Sequence, residues 1–122
     1  MNYRRHKLWT LLECLFVLTL LLNCAEAKGI LVYQGESIQT AINGADDQDV
    51  IIIMGSIFHE NVVVNKRLAL MGNPFGFRTV VDAGGSGDAI TISADHCEIS
   101  GFEVRNSTTI SGIRVLSRGN NI

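Results

Sequence analysis

The sequence has no surplus of positive charge: 10 Lys and Arg stand against 12 Asp and Glu, a formal net charge of −2. Without such a surplus there is no sequence-independent attraction for a polyanion, so DNA and RNA are excluded as leading partners. Charge of either sign is scarce, at 18% of residues, but 47% of the chain is hydrophobic. That balance lies outside the weakly hydrophobic, highly charged class that stays disordered. Length adds a further bound, because 122 residues supply one small domain and one core.

The N-terminus reads as an export signal. Arg4, Arg5 and Lys7 precede a 15-residue apolar stretch at positions 8–22, and Ala25-Glu26-Ala27 has the form of a signal-peptidase site. The stretch is shorter than the roughly 20 apolar residues that cross a bilayer as a helix, and Glu13 interrupts it, which argues against an uncleaved anchor. Cleavage after Ala27 is therefore expected, with Lys28 as the new N-terminus and contact with the membrane only during export. Asn23, standing where a lipoprotein signal has a small residue, argues against lipidation of Cys24. Removing 27 of 122 residues leaves 95, and of the three cysteines only Cys97 remains. An exported chain with one Cys has no internal disulfide, so its stability must come from packing, metal or stacking on further chain. Seven basic residues then face ten acidic ones, a mild solubilising charge.

From Lys28 onward, short β-branched bursts alternate with Gly, Asn, Asp and Ser: 50–54, 61–64, 68–70, 79–81, 89–92, 97–99, 102–104 and 112–115. Three pairs, Ile90 and Ile113, Ile92 and Val115, and Ile99 and Ile122, are each 23 residues apart. Val62 and Val64 precede Ile90 and Ile92 by 28, and Leu68, Leu70 and Gly72 precede Cys97, Ile99 and Gly101 by 29, as if one loop had grown between Asn73 and Gly87. A repeat of this length, built of short strands and turns, predicts a solenoid whose coils stack in register and pair in parallel. A leucine-rich fold lacks its Leu/Asn signature here, and a sandwich need not repeat at a fixed spacing. Gly72 and Gly101 are expected at corners that bend sharply or need positive φ. The segment 37–44 predicts the one helix, with Ser37 as N-cap, Gly44 as stop, and Ile38, Ala41 and Ile42 on one face. It is assigned as a lid over the open apolar end and unpaired edges of the first coil. The expected layout is a signal peptide at 1–27, an N-terminal strand and capping helix at 28–48, and parallel coils at 49–122.

Glu36-Ser37-Ile38-Gln39 with Ala41-Ile42, then Asp49-Val50-Ile51-Ile52-Ile53, Gly55-Ser56-Ile57-Phe58-His59-Glu60-Asn61-Val62 and Lys66-Arg67-Leu68-Ala69-Leu70-Met71-Gly72 resemble the N-terminal entry of right-handed parallel β-helix proteins of the pectin-lyase-like group. The repeats Gly87-Asp88-Ala89-Ile90-Thr91-Ile92 and Ile99-Ser100-Gly101-Phe102 are similar to that group's coils, and most of all to its NosD-type branch. The resemblance implies an all-β fold and either of two settings, a periplasmic copper-associated accessory protein or a β-helix module of a cell-surface or secreted protein. Because such β-helices run to many coils and this chain stops in mid-repeat at Asn121-Ile122, a fragment is expected, with further coils or self-association covering its end.

For catalysis the eligible groups are Asp82, Asp88, Asp95, Glu98, Glu103, Arg105 and Arg114, and none lies in a pectinesterase or lyase signature. Asp82, Asp88 and Asp95 sit among Gly and Ser and read as turn residues. For copper the side chains to consider are His59, His96, Cys97, Met54 and Met71, with His59 and His96 the candidates, whereas calcium would take the carboxylates named above. Cys97 aligns with Leu68 and is expected inside the core. Asn106-Ser107-Thr108 is an acceptor triplet for N-glycosylation at Asn106. The function expected from all of this is a non-catalytic exported module that binds polysaccharide or an envelope protein, or supports copper handling. The alternative is the N-terminal part of a carbohydrate-active enzyme.

Overall fold

The structure is a computed structural model, and it describes residues 26–109 and 111–122. Most of the segment expected to be an export signal, including Cys14, Cys24 and Trp9, lies outside the described residues. Among the described residues ten strands and one helix follow in order: β1 Gly29–Val32, α1 Ile38–Gly44, β2 Val50–Ile53, β3 Ile57–His59, β4 Val62–Val64, β5 Ala69–Met71, β6 Thr79–Asp82, β7 Ile90–Ile92, β8 Glu98–Ser100, β9 Phe102–Arg105 and β10 Ile113–Val115. They form three parallel sheets: sheet A is β1-β2-β5-β8, sheet B is β3-β6-β9 and sheet C is β4-β7-β10. The chain visits A, B and C in turn and then begins again, which makes a right-handed parallel β-helix.

The register is the one the repeat predicts. Ile90 lies between Val62 and Ile113, and Ile92 between Val64 and Val115. Leu70 pairs with Ile99, and a bridge from Glu98 to Asn121 starts another layer. Alternation along each strand sends one set of side chains inward, and Ile51, Leu70 and Ile99 from sheet A meet Val62, Val64, Ile90 and Ile92 from sheet C there. Burying each such side chain contributes at most about 1.5–3 kcal/mol. Cys97 is buried in this core, its Sγ–H donating to the Lys66 carbonyl at 3.3 Å. The equivalent inward residues of the last coil are less covered: Ile113 is partly buried, and Val115 and Ile122 are exposed.

One expectation needs correction. Residues 73–87 are not one enlarged loop, because β6 lies in the middle of them. The extra length is shared between the corner before β6 and the corner after it, and the Ile57–Val80 spacing of sheet B stays at 23. Of the two corner glycines, only Gly101 has positive φ, at 77°. It is the single residue between β8 and β9, whereas Gly72 is needed for closeness, since a Cβ there would overlap the Gly101 carbonyl.

Helix α1 buries Ile38 and Ile42 against β1, β2 and β4, and Ser37 Oγ accepts the Thr40 N–H at 3.1 Å as its N-cap. The first full coil bolts both of its ends. The Glu60 carboxylate accepts the N–H groups of Ile38 and Gln39, each at 3.1 Å. Lys66 Nζ donates to the carbonyls of Ile42, Asn43 and Ala45 at 3.1, 2.9 and 2.7 Å. These charges complement the helix dipole. Side-chain amides then close the sheet edges that have no preceding strand. Gln39 Oε1 accepts the Val63 N–H at 2.7 Å while its Nε2 donates to the Val63 carbonyl at 3.2 Å. Gln34 acts likewise on sheet B, accepting from Ser56 N–H at 2.8 Å and donating to the Ile57 carbonyl at 2.9 Å. Beneath them, buried Asp49 accepts the N–H groups of Lys28 and Asp46, and these bonds hold its carboxyl below the ordinary value. Among the described residues no buried side-chain N or O lacks a partner, and no helix is long and apolar enough to cross a membrane.

Adjacent residues of β7 give a sharp test of the register. Ile92 is wholly buried, while Thr91 points outward between Val63 and Arg114. Ile92→Asp should cost at least about 4 kcal/mol, an uncompensated buried carboxylate, and Thr91→Asp less than about 1 kcal/mol. Equal losses in chemical denaturation would contradict the inward assignment.

Candidate functional site

Polar groups concentrate at the corner between sheets B and C. Residues 83–89 and 106–112 make two seven-residue corners there, one above the other, rich in glycine and hydroxyls. The coils are laced together by Gly85 N–H to the Asn106 carbonyl at 2.8 Å, Gly87 N–H to Thr108 Oγ1 at 2.8 Å and Thr108 N–H to the Gly87 carbonyl at 3.1 Å. From the coil below, Asn61 Nδ2 donates to the carbonyls of Ser86 and Asp88. Such bonds take the place of strand pairing where the backbone turns too sharply for a ladder.

A shallow cleft of about 390 Å³ opens against this corner, lined by Asp88, Thr108, Thr109, Ser111 and Arg114. The Asp88 side chain is only 10% exposed, and its carboxylate accepts a hydrogen bond from the Thr109 hydroxyl. Arg114 Nη1 stands 3.9 Å from the Asp88 carboxylate with most of its side chain in solvent, leaving donors free to meet a ligand. The Ser107 and Thr109 hydroxyls share a hydrogen bond of 2.9 Å, and Thr109 also reaches the Ser111 carbonyl at 2.9 Å. The cleft therefore offers a carboxylate, a guanidinium and several hydroxyls within one small, open concavity.

Beside it, the ends of the sheet B strands stack His59, Asp82 and Arg105 in register. The Asp82 carboxylate accepts the Gly84 N–H at 2.7 Å and the Asn106 amide at 2.9 Å. Those two bonds, and behind them the charges of His59 and Arg105, hold its carboxyl below the ordinary value against the opposing effect of burial. His59 Nδ1 lies 3.7 Å from Asp82, and Arg105 donates to Glu103 at 2.7 Å. Asp82 is thus the turn residue expected, and Asn106, the glycosylation candidate, has its amide engaged with it.

The structure separates the two metal candidates. His59 ends β3 at the corner leading to sheet C, whereas His96 lies in the corner between sheets C and A, with positive φ and its ring against Gly119. Among the described residues no three His, Cys, Asp or Glu side chains form a group that could hold a metal ion. Asp95 accepts the Arg118 N–H at 2.8 Å, also as a turn residue. Met54 and Met71 are half-buried at the first corner and on sheet A, and Glu98 lies on the outer face of β8. Of the acidic and basic candidates, Asp88 and Arg114 are brought together at a cleft. Sequence reading missed Thr108, Thr109 and Ser111 as site residues. Their signal was the hydroxyl run after Asn106, which the acceptor triplet drew attention away from. Comparison with protein-family models, with curated proteins and with solved structures found no match to this chain.

A group whose folded pKa is depressed gives stability that is present above its unfolded value, here 3.8, and lost as pH falls through the folded value. The thermal midpoint should therefore fall from pH 4 toward pH 2, and it should fall less in Asp82→Ala, which starts lower at neutral pH. Identical pH profiles for the two proteins in differential scanning calorimetry would show that Asp82 contributes nothing to this corner.

Proposed function

We propose that this chain is an exported, non-catalytic β-helix module of the NosD-like type, acting in the periplasm, at the cell surface or outside the cell, and binding polysaccharide at the corner between sheets B and C. The observation that carries the reading is the cleft in which Asp88 and Arg114 stand beside Thr108, Thr109 and Ser111. A sugar ring presents alternating hydroxyl donors and acceptors, and a carboxylate, a guanidinium and hydroxyls are the side chains that pair with them. The cleft is shallow and lined from two successive corners of the solenoid, which suits a ligand longer than one residue. Binding is favoured over catalysis because Asp82 and Asp88 are both engaged in hydrogen bonds that build the corner, leaving no convergent acid and base.

Affinity electrophoresis of the protein in native gels containing neutral or acidic soluble polysaccharides tests this. Retardation is expected in at least one gel, and Arg114→Ala should weaken it about tenfold, the effect of one charge-assisted hydrogen bond. Unretarded migration in every gel, or retardation indifferent to both Arg114→Ala and Asp88→Ala, would contradict the proposal.

A further inference from the structure

The corner between sheets A and B carries the opposite chemistry. Phe75 and Phe77, in the loop of residues 72–78, are 78% and 76% exposed. Two phenyl rings in water are costly, and nothing in the loop's own geometry shelters them. The base of the loop is nonetheless fixed. Asn73 Oδ1 accepts the Phe75 N–H at 2.9 Å, Asn73 N–H donates to Thr79 Oγ1 at 2.9 Å, and the buried Thr79 hydroxyl donates to the Gly55 carbonyl at 3.1 Å. The rings are therefore held out on an anchored support.

The strip beside the loop is apolar as well. On the outer face of sheet A, Leu31, Ile52 and Met71 stack in register, with Val50 and Ala69 beside them. Met71 leads directly into the loop, and Tyr33, just after β1, is exposed at the same corner. The charge here differs from that of the chain as a whole. Residues 61–81 contain Lys66, Arg67 and Arg78 and no acidic residue. Lys66 is taken up by the helix carbonyls; Arg78 is exposed where the loop meets β6 and Arg67 at the opposite end of β5, with the exposed Asp46 and Asp47 near Arg67 and the Glu36 carboxylate accepting the Tyr33 N–H. Glu98 on β8 marks its limit on the far side.

We infer that this surface docks on an anionic lipid bilayer, with Phe75 and Phe77 inserted at the headgroup boundary and Arg78 on the phosphates. Three occupants can be weighed. A second copy of the chain would find a strip only about 14 by 13 Å, from the spacing of strands and residues, far below the roughly 800 Å² a side that stable protein pairs bury. A saccharide would find two protruding rings with few polar partners beside them, since Asn73 Oδ1 and the Thr79 hydroxyl are committed inside the loop. A bilayer asks for neither shape complementarity nor hydrogen-bond partners, only protruding apolar rings and nearby positive charge. This surface is separate from the polysaccharide cleft, so either reading can fail without the other.

The test must report on the loop itself, because the apolar run at 8–22 belongs to the same chain. The full chain, labelled uniformly with para-fluorophenylalanine, is mixed with vesicles of phosphatidylglycerol and phosphatidylcholine that contain a nitroxide-labelled lipid, and followed by fluorine NMR. The Phe75 and Phe77 signals, assigned with Phe75→Leu and Phe77→Leu, should be lost to paramagnetic broadening while that of buried Phe58 is retained. Arg78→Glu or high salt should restore them, since screening weakens attraction to the lipid surface. A Phe58 signal at its usual position shows that each variant is folded. Equal broadening at Phe58, broadening unchanged in neutral vesicles, or sharp Phe75 and Phe77 signals that only an added protein extract broadens would each overturn the inference.

Discussion

A parallel sheet begins with a strand whose outer edge has no partner, and three stacked sheets begin with three such edges. In this protein the first edge of each sheet is met differently. Sheet A has β1 as an extra strand ahead of the first full coil. Among the described residues sheets B and C have no such strand, and the amides of Gln34 and Gln39 stand in for one, each accepting and donating as a backbone unit would. Helix α1 covers the apolar interior between them, held at one end by Glu60 and at the other by Lys66. The coil that is capped thus supplies the groups that hold its cap, and lid and coil depend on each other.

Register follows from the inward apolar pattern, and the corners follow from register. With Val50, Ala69, Glu98 and Asn121 stacked, the coils are 19, 29 and 23 residues long. Strand positions cannot absorb those differences without turning inward side chains outward. The corners absorb them instead, and the two surfaces of functional interest are the enlarged corners. The 72–78 loop presents aromatic rings, and the paired 83–89 and 106–112 corners form the cleft with Asp88 and Arg114. A scaffold of fixed register carries variable chemistry at places where added length does not disturb the core.

The coils were legible in the sequence because β-branched residues at a fixed spacing report directly on stacking, as Ile90 with Ile113 shows. Strand β3 was not singled out, since Ile57–His59 buries only Phe58 and three residues carry too little alternation to stand out. Helix α1 could be recognised from Ser37, Ile38 and Ile42, and its place as a lid from the open end a solenoid must have. Its bolts could not, because Glu60 and Lys66 lie 21 to 24 residues from the groups they bind and look like ordinary surface charges. The edge-closing glutamines were hidden for the same reason. At the site, Asp88 and Arg114 were among the candidates on charge alone, but their union with Thr109 depends on how two corners well separated in the chain come to overlie each other.

The claim most exposed to test is that a side chain completes a sheet. In β4 the Val63 N–H has the Gln39 side chain as its partner, whereas the Val62 N–H is bonded to the Ala89 carbonyl of the next coil. Residue-resolved hydrogen exchange distinguishes these two amides. The account predicts that Val63 is protected in the unaltered protein and that Gln39→Ala raises its exchange rate about tenfold or more while Val62 changes much less. A Val63 amide that exchanges as fast as those of exposed loops in the unaltered protein, or one indifferent to Gln39→Ala, would contradict it.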